Sequence, residues 1–428
     1  MDIFNFSKKM LLRNFNKCIN YSLVVYITLI ISFVFGDFNK NLLLLENDQV
    51  IGGATFIEMT IPLSVALPFI VIVLCWMTLL YASNFYINNQ TDSFAIILLS
   101  GGSAIDVAKF VLWQVAIIFL GNLIIALLTA PLILKLIYRF MFSYLRIDAV
   151  YHIPLETYLF VLYSLIPILM IVCISIAGFS HRNTLQILLR RTKTNKIVKI
   201  KKVDKISWRY ILIYLISIWI VCFSEHHIAA YIFPSIVGIF SIYGLFKSVI
   251  PGLLRNWKKR KGMEKKCMSI ALSNYSTSLQ ESVIFIMLMF VLISGIVPVL
   301  ISQSKISNEY ITGVISYLVI TIMIVVCIVY KFIDRMVSRE NEFNCLKRIG
   351  YVNKDIKIVM FLEVVIYYFT IIFLPLPLMM IIGFKFIANN DITLLKFLLL
   401  MAIFIIPIIV SMFITYNLYI KLMVKKEK

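Results

Sequence analysis

Residues 110–134 read FVLWQVAIIFLGNLIIALLTAPLIL, 25 consecutive residues without one charged side chain. Coiled as a helix, a run of this length exceeds the roughly 20 residues that span a hydrocarbon core. Nine more runs near that length follow the same pattern, so the spacing predicts crossings at 19–35, 61–82, 110–134, 155–179, 206–223, 228–246, 283–301, 311–332, 358–383 and 394–420. Composition agrees. Of 428 residues 61% are hydrophobic and 14% charged, and the mean hydropathy is +0.95, which excludes an ordinary water-soluble domain. The expected fold class is an all-α polytopic membrane protein of ten transmembrane helices, in two related halves with a two-helix middle linker. The fifth run is the weakest, because Arg209 stands near its start and must snorkel to the headgroups. A basic start before an apolar run resembles a signal peptide, but no small-residue cleavage site follows Phe35, so a retained first helix is expected.

The formal charge is +20, from 41 Lys and Arg against 21 Asp and Glu. A basic chain suggests nucleic acid, yet these charges fall between the apolar runs. With the N-terminus placed inside, 32 of the 41 lie in cytoplasmic segments and seven in outer ones, the bias that orients membrane proteins. The expectation is therefore a multi-pass protein of a bacterial-type plasma membrane with both termini cytoplasmic, membrane lipid around it and no nucleic-acid partner. Seven cysteines form no CxxC pair, which argues against a disulfide or zinc framework.

Two features recur. Leu11-Leu12-Arg13-Asn14-Phe15 precedes the first span and Ala271-Leu272-Ser273-Asn274-Tyr275 the seventh, each read as a short amphipathic lead-in lying in the inner interface. In the cytoplasmic links after spans two and eight, Phe94, Gly101 and Val107 match Phe343, Gly350 and Ile356 at a constant spacing of 249. The expected organisation is a lead-in at 1–18, a first span at 19–35, and a three-helix unit at 61–179 with its link at 83–109. A basic middle segment at 180–282 holds two spans and the second lead-in. The seventh span at 283–301, a second three-helix unit at 311–420 with its link at 333–357, and a basic tail at 421–428 complete the chain. In the second link Phe343, Leu346 and Ile349 recur at helical spacing, and Gly350 suits a helix stop.

The pattern Arg339-x-x-Glu342-Phe343-x-x-Leu346-Lys347-Arg348-Ile349-Gly350, with Ile356 beyond, resembles the link between paired helices in the FtsX-like, MacB-like family of ABC transporter permeases. Leu12-Arg13-Asn14-Phe15 resembles that family's start, and the ten-span order is similar to its bacitracin-resistance-type branch. The resemblance covers the chain in topology, and its specific motif occupies one link of 18 residues, 339–356. It implies a permease worked by separate ABC ATPase subunits, two copies, that hold ATP and Mg. It also implies that Arg339, Glu342, Phe343, Leu346, Lys347, Arg348 and Gly350 form the better ATPase-coupling element, with Phe94 and Gly101 in the weaker one. Phe343 and Leu346 would fill an apolar groove on the partner, and Arg339 and Glu342 would fix its register as rim charges. Two departures stand out. The first link carries no basic residue from Thr91 to Gly101, and Asp92 is one place off the position of Glu342; only residues 302–309 separate spans seven and eight, where that branch carries a large external domain.

No GxxxxGK[ST] occurs, so this chain is not expected to be an enzyme or to bind a cofactor itself. Glu225-His226-His227 reads as a solvated outer turn rather than a metal site. Inside the spans Glu363 and Asn122 are the notable polar groups, Glu363 read as snorkelling or as paired with a basic neighbour. The expected function is export, or expulsion from the membrane, of an amphipathic cargo such as an antimicrobial peptide, lipopeptide or lipid. The rival readings are a signal transmitter regulating an external hydrolase or a sensor kinase, and an ion-coupled carrier.

Overall fold

A computed structural model describes residues 3–13, 15–38, 63–88, 90–145, 153–182, 208–223, 229–261, 266–302 and 307–424, and every regular element among them is a helix. Nine helical stretches there are long and apolar enough to cross a membrane. The chain divides into two compact units, residues 1–196 with 311–316, and residues 197–310 with 317–428.

The first unit contains α1 (Ile3–Arg13), α2 (Phe15–Phe38), α3 (Leu63–Asn88), α4 (Thr91–Leu99), α5 (Ala104–Leu145) and α6 (Leu155–Arg182). At its centre α2 packs on α3, α5 and α6. The helices turn their polar groups inward: Tyr21 bonds Ser83 at 3.0 Å, Ser22 donates to Asn122 at 3.1 Å and Tyr26 donates to Thr129 at 3.0 Å. Hydrocarbon offers these groups no partner, so neighbouring helices supply one. Apolar side chains face outward, and on α5 Leu120, Ile124, Leu128, Leu132 and Leu136 form an exposed stripe at every fourth residue. Such a stripe suits lipid and would be a liability in water. The amphipathic α1 lies against α5, with the Ser7 hydroxyl donating to the Phe110 carbonyl at 3.0 Å.

The second unit contains α7 (Arg209–Phe223), α8 (Ala229–Gly244), α9 (Ile250–Lys261), α10 (Lys266–Val291), α11 (Val297–Ser302), α12 (Ser307–Ser338) apart from residues 311–316, α13 (Glu340–Arg348), α14 (Asn353–Phe373), α15 (Leu376–Ala388) and α16 (Leu394–Val424). Here α10 packs on α14 and α8, and α14 on α16. Two π turns interrupt the helices, Leu245–Val249 between α8 and α9 and Leu292–Ile296 between α10 and α11. Each ends two residues before a proline, Pro251 and Pro298. A proline cannot donate to the carbonyl four residues back and its ring crowds it, here Lys247 and Ser294, so the coil widens just upstream.

Three expectations change. The third span belongs to a 42-residue helix, because the buried Tyr138, Met141 and Phe142 continue the packed face past Lys135 and Arg139. The ninth is broken at Leu374 and Pro375, where Pro375 and Pro377 remove backbone donors, and the Tyr214 hydroxyl meets the Leu374 carbonyl at 2.5 Å. The second lead-in is no separate interfacial helix: Ala271, Leu272 and Tyr275 are buried within the continuous α10. The middle pair, read as a two-helix linker, packs within the second unit, α8 on α10 and α7, and the Lys385 ammonium on α15 donates to the Val221 carbonyl on α7 at 2.7 Å. The fifth expected span, α7, is an apolar helix of only 15 residues. The side chains of Leu12 and Phe15, all of Asn14, the segment 183–207 and the turn Glu225-His226-His227 lie outside the described residues.

Candidate functional site

The two links share most of their backbone hydrogen bonds. In the first, the amides of Gln90 and Phe94 donate to the carbonyls of Ile87 and Gln90; in the second, Arg339 and Phe343 donate to Met336 and Arg339, each 249 residues later. Both helices, α4 and α13, have nine residues. Both close in the same motif: Gly101 and Gly102 donate to Leu98 and Ile97, Gly350 and Tyr351 to Lys347 and Leu346. These are the paired bonds of a Schellman cap, which needs a residue at positive φ just past the helix. Gly101 has φ 88° and Gly350 φ 105°, with open space where a Cβ would stand, so the backbone dihedral rather than crowding demands glycine there. The next helices also start alike, Val107 bonding Ser103 and Ile356 bonding Val352. In the first link Ser103 and Asp106 cap α5 reciprocally, the Ser103 amide donating to the Asp106 carboxylate at 2.8 Å and the Asp106 amide to the Ser103 hydroxyl at 3.3 Å.

Side chains sort differently from the expectation. Arg339 and Phe343, read as partner-facing, are turned inward and buried, as is Phe94. Phe343 meets Tyr419 edge to face with ring centres 5.8 Å apart, and Phe94 meets Phe110 at 6.4 Å. A nine-residue helix lying under a bundle has one face against it, and in α13 that face carries Arg339 and Phe343. Glu342, Arg348 and Gly350 are exposed, and Leu346 and Lys347 half-buried. The apolar groups that stand free are Ile349 at 75% and Val352 at 63% exposure in the second link, and Ile96 and Leu99 in the first. Ile349 lies past the last helical turn, so its helical spacing from Phe343 and Leu346 does not keep it on their face.

Behind the second link lies a polar cluster. The Arg339 guanidinium donates to Glu363 at 2.5 Å, to the Asn274 carbonyl at 2.8 Å, to Ser278 at 3.2 Å and to Thr277. Glu363 also accepts from Ser278 and from Tyr419, both at 3.1 Å. Burial alone would lower the Arg339 pKa; the Glu363 carboxylate, together with Tyr419 and Glu342, outweighs it, and the guanidinium is held above its ordinary value. One side chain thus ties the link to α10 and α14, and through Glu363 to α16. Glu363 has the basic neighbour that its sequence position suggested. Asn122 is taken up between helices, its amide donating to Ser22 at 2.9 Å and the Ile118 carbonyl at 2.7 Å.

The positions matching Arg339 and Glu363 in the first half are Gln90 and Gln114, which motif reading passed over. The Gln114 carbonyl oxygen accepts from Tyr86 at 3.0 Å, and Tyr86 in turn bonds Cys18 at 3.6 Å. Extending the spacing of 249 to every polar position would have brought both pairs out. Comparison with protein-family models finds no match for the chain, and comparison with curated proteins finds none.

Proposed function

We propose that this chain is the membrane subunit of an ATP-driven transporter of the ABC type, exporting or expelling an amphipathic cargo such as an antimicrobial peptide, lipopeptide or lipid from a bacterial-type plasma membrane. Two partner ATPase subunits, holding ATP and Mg, bear on the two links, and both termini face the cytoplasm. One observation carries the reading: the two links repeat a whole backbone pattern at a single spacing, each presenting exposed apolar side chains beside its glycine-closed turn. A turn that only joins two helices has no need to reproduce caps, helix length and positive-φ closure twice. The exposed groups suit a protein partner, with Ile349 and Val352 able to enter an apolar groove while Arg348 and Glu342 lie at its rim.

Closure of the partners would press the links, and the helices above would shift as bodies. The test is reconstitution of the full chain in vesicles with a separate P-loop ATPase of the ABC type, the first candidate being one encoded beside it if such a chain is found there. Ile349→Asp and Val352→Asp are expected to abolish stimulation of hydrolysis by the chain while its thermal stability stays unchanged. Full stimulation in these variants overturns the coupling. ATP-dependent displacement of a labelled lipopeptide supports transport, and stimulated hydrolysis without displacement favours a signal transmitter.

A further inference from the structure

The polar pair behind each link differs between the halves while the backbone around it does not. Gln90 and Arg339 open α4 and α13 with nearly the same dihedrals, φ −105° and ψ 13° against φ −98° and ψ 2°. Gln114 and Glu363 stand on the next long helix, each 24 residues further on. In the second half the pair is closed, and charge-assisted bonds join Arg339 to Glu363 and to three residues of α10. In the first half the side-chain carbonyl of Gln90 and the side-chain nitrogen of Gln114 are both buried without a hydrogen-bond partner. Gln90 reaches Tyr86, and Gln114 accepts from the same tyrosine. The residues match and the bond is missing.

We propose that Arg339 and Glu363 are positioning residues that make the second link a stiff arm, and that Gln90 and Gln114 leave the first link compliant, so that force applied to both links enters the helices through the second half. The inference rests on the links being the points where force arrives. The stiffness follows from connectivity: moving α13 away from the bundle must break the charge-assisted hydrogen bonds of Arg339 to α10 and α14 and leave the buried Glu363 carboxylate without its counter-ion. Moving α4 breaks no direct bond between positions 90 and 114, only the neutral contacts that each makes with Tyr86. The neutral pair also accounts for the absence of a basic residue at position 90, since a guanidinium there would need an inward carboxylate to stand beside and position 114 does not supply one.

Hydrogen exchange on the full chain in nanodiscs tests this without any ATPase. The amides of 343–350 should exchange about tenfold more slowly than those of 94–101. Arg339→Gln with Glu363→Gln should bring the second link to the rate of the first and leave the first unchanged, while Gln90→Arg with Gln114→Glu slows the first. Arg339→Lys should restore only part of the protection, because an ammonium cannot span Glu363 and the α10 groups in one plane. A pair that merely held the fold together would speed exchange throughout α10, α14 and α16, and that result, or equal exchange in the two native links, overturns the proposal. With the ATPase present, the double Gln variant should lose stimulated hydrolysis by about fivefold or more, about 1 kcal/mol of coupling. If the tip variant Ile349→Asp leaves stimulation intact while the exchange pattern holds, the ATPase reading falls and the stiff arm stands. If Ile349→Asp uncouples and the two links exchange alike, the reverse is true.

Discussion

The Asp37 carboxylate accepts a hydrogen bond from the Tyr138 hydroxyl at 2.8 Å and another from Thr157 at 2.7 Å, closing the ends of α2, α5 and α6 upon one buried acid. Sequence places Asp37 at the start of an outer loop, whereas it is the penultimate residue of α2 and fully buried. Removing a donor from a buried carboxylate leaves that group short of a partner. Tyr138→Phe is expected to destabilise the first unit by about 1–3 kcal/mol. Asp37→Ala, which removes the acceptor that both hydroxyls share, should cost more than Tyr138→Phe. Chemical denaturation of the full chain in mild detergent checks the order, and an unchanged midpoint for Asp37→Ala contradicts it.

Valine at position 101 or 350 would have to adopt a positive φ that β-branched residues avoid. Gly101→Val and Gly350→Val should each cost about 1–2 kcal/mol. The loss should be local, seen as faster exchange at Gly102 or Tyr351, whose amides close the caps. Alanine at the same places should cost less, since it lacks the second branch, and neither change meets a steric obstacle.

Long apolar helices of membrane-spanning length were legible because 20-odd apolar residues in a row suit hydrocarbon better than water, and the glycine-closed links because φ above zero selects one residue type. The C-terminal end of α5 was not, since Lys135 and Arg139 end the apolar run while Tyr138 and Met141 keep the packed face going. Nor was the Arg339–Glu363 pair. The two lie 24 residues apart with a turn at Gly350 between them, and nothing local tells an inward arginine from an outward one. Only comparison of the two halves, position by position, carries that information.

Breaking the Arg339–Glu363 pair should cost more than deleting it. Glu363→Leu alone leaves a buried guanidinium without its counter-ion and should destabilise by about 3–5 kcal/mol, whereas Arg339→Met with Glu363→Leu should recover a large part of that loss. The double-mutant cycle, read by denaturation, is expected to give a coupling energy above about 1 kcal/mol. Additive losses would mean that Asn274, Thr277 and Ser278 already satisfy the guanidinium without Glu363.

The π turn before Pro251 has a cause that a single substitution removes. Alanine restores the missing amide, which can then donate to the Lys247 carbonyl and narrow the coil. Pro251 is only half-buried, so Pro251→Ala opens little cavity, and a gain in stability of up to about 3 kcal/mol is expected from the recovered helix. Pro298 is buried, and there the lost packing offsets the gain. A higher thermal midpoint for Pro251→Ala with no rise for Pro298→Ala is the expected pair of results. A fall for Pro251→Ala would show that the widened turn is held by its neighbours rather than imposed by the proline.

Phe343 and Ile349 lie six residues apart on what the sequence reads as one apolar face, and the structure separates them. Phe343 is 2% exposed against Tyr419; Ile349 is 75% exposed beyond the last turn of α13. Truncating a buried phenylalanine removes its transfer energy and leaves a cavity, so Phe343→Ala should cost about 3–5 kcal/mol. Ile349→Ala touches no packed neighbour and should stay within about 0.5 kcal/mol. Binding should follow the opposite order. If the link docks on a partner through its tip, Ile349→Ala weakens association at full stability, while a conservative Phe343→Leu, which keeps the face filled, leaves association nearly unchanged. Titrating the reconstituted chain with its ATPase and following each variant's denaturation midpoint separates the two effects. Loss of association in Phe343→Leu with none in Ile349→Ala would mean that α13 turns over on binding and presents its inner face.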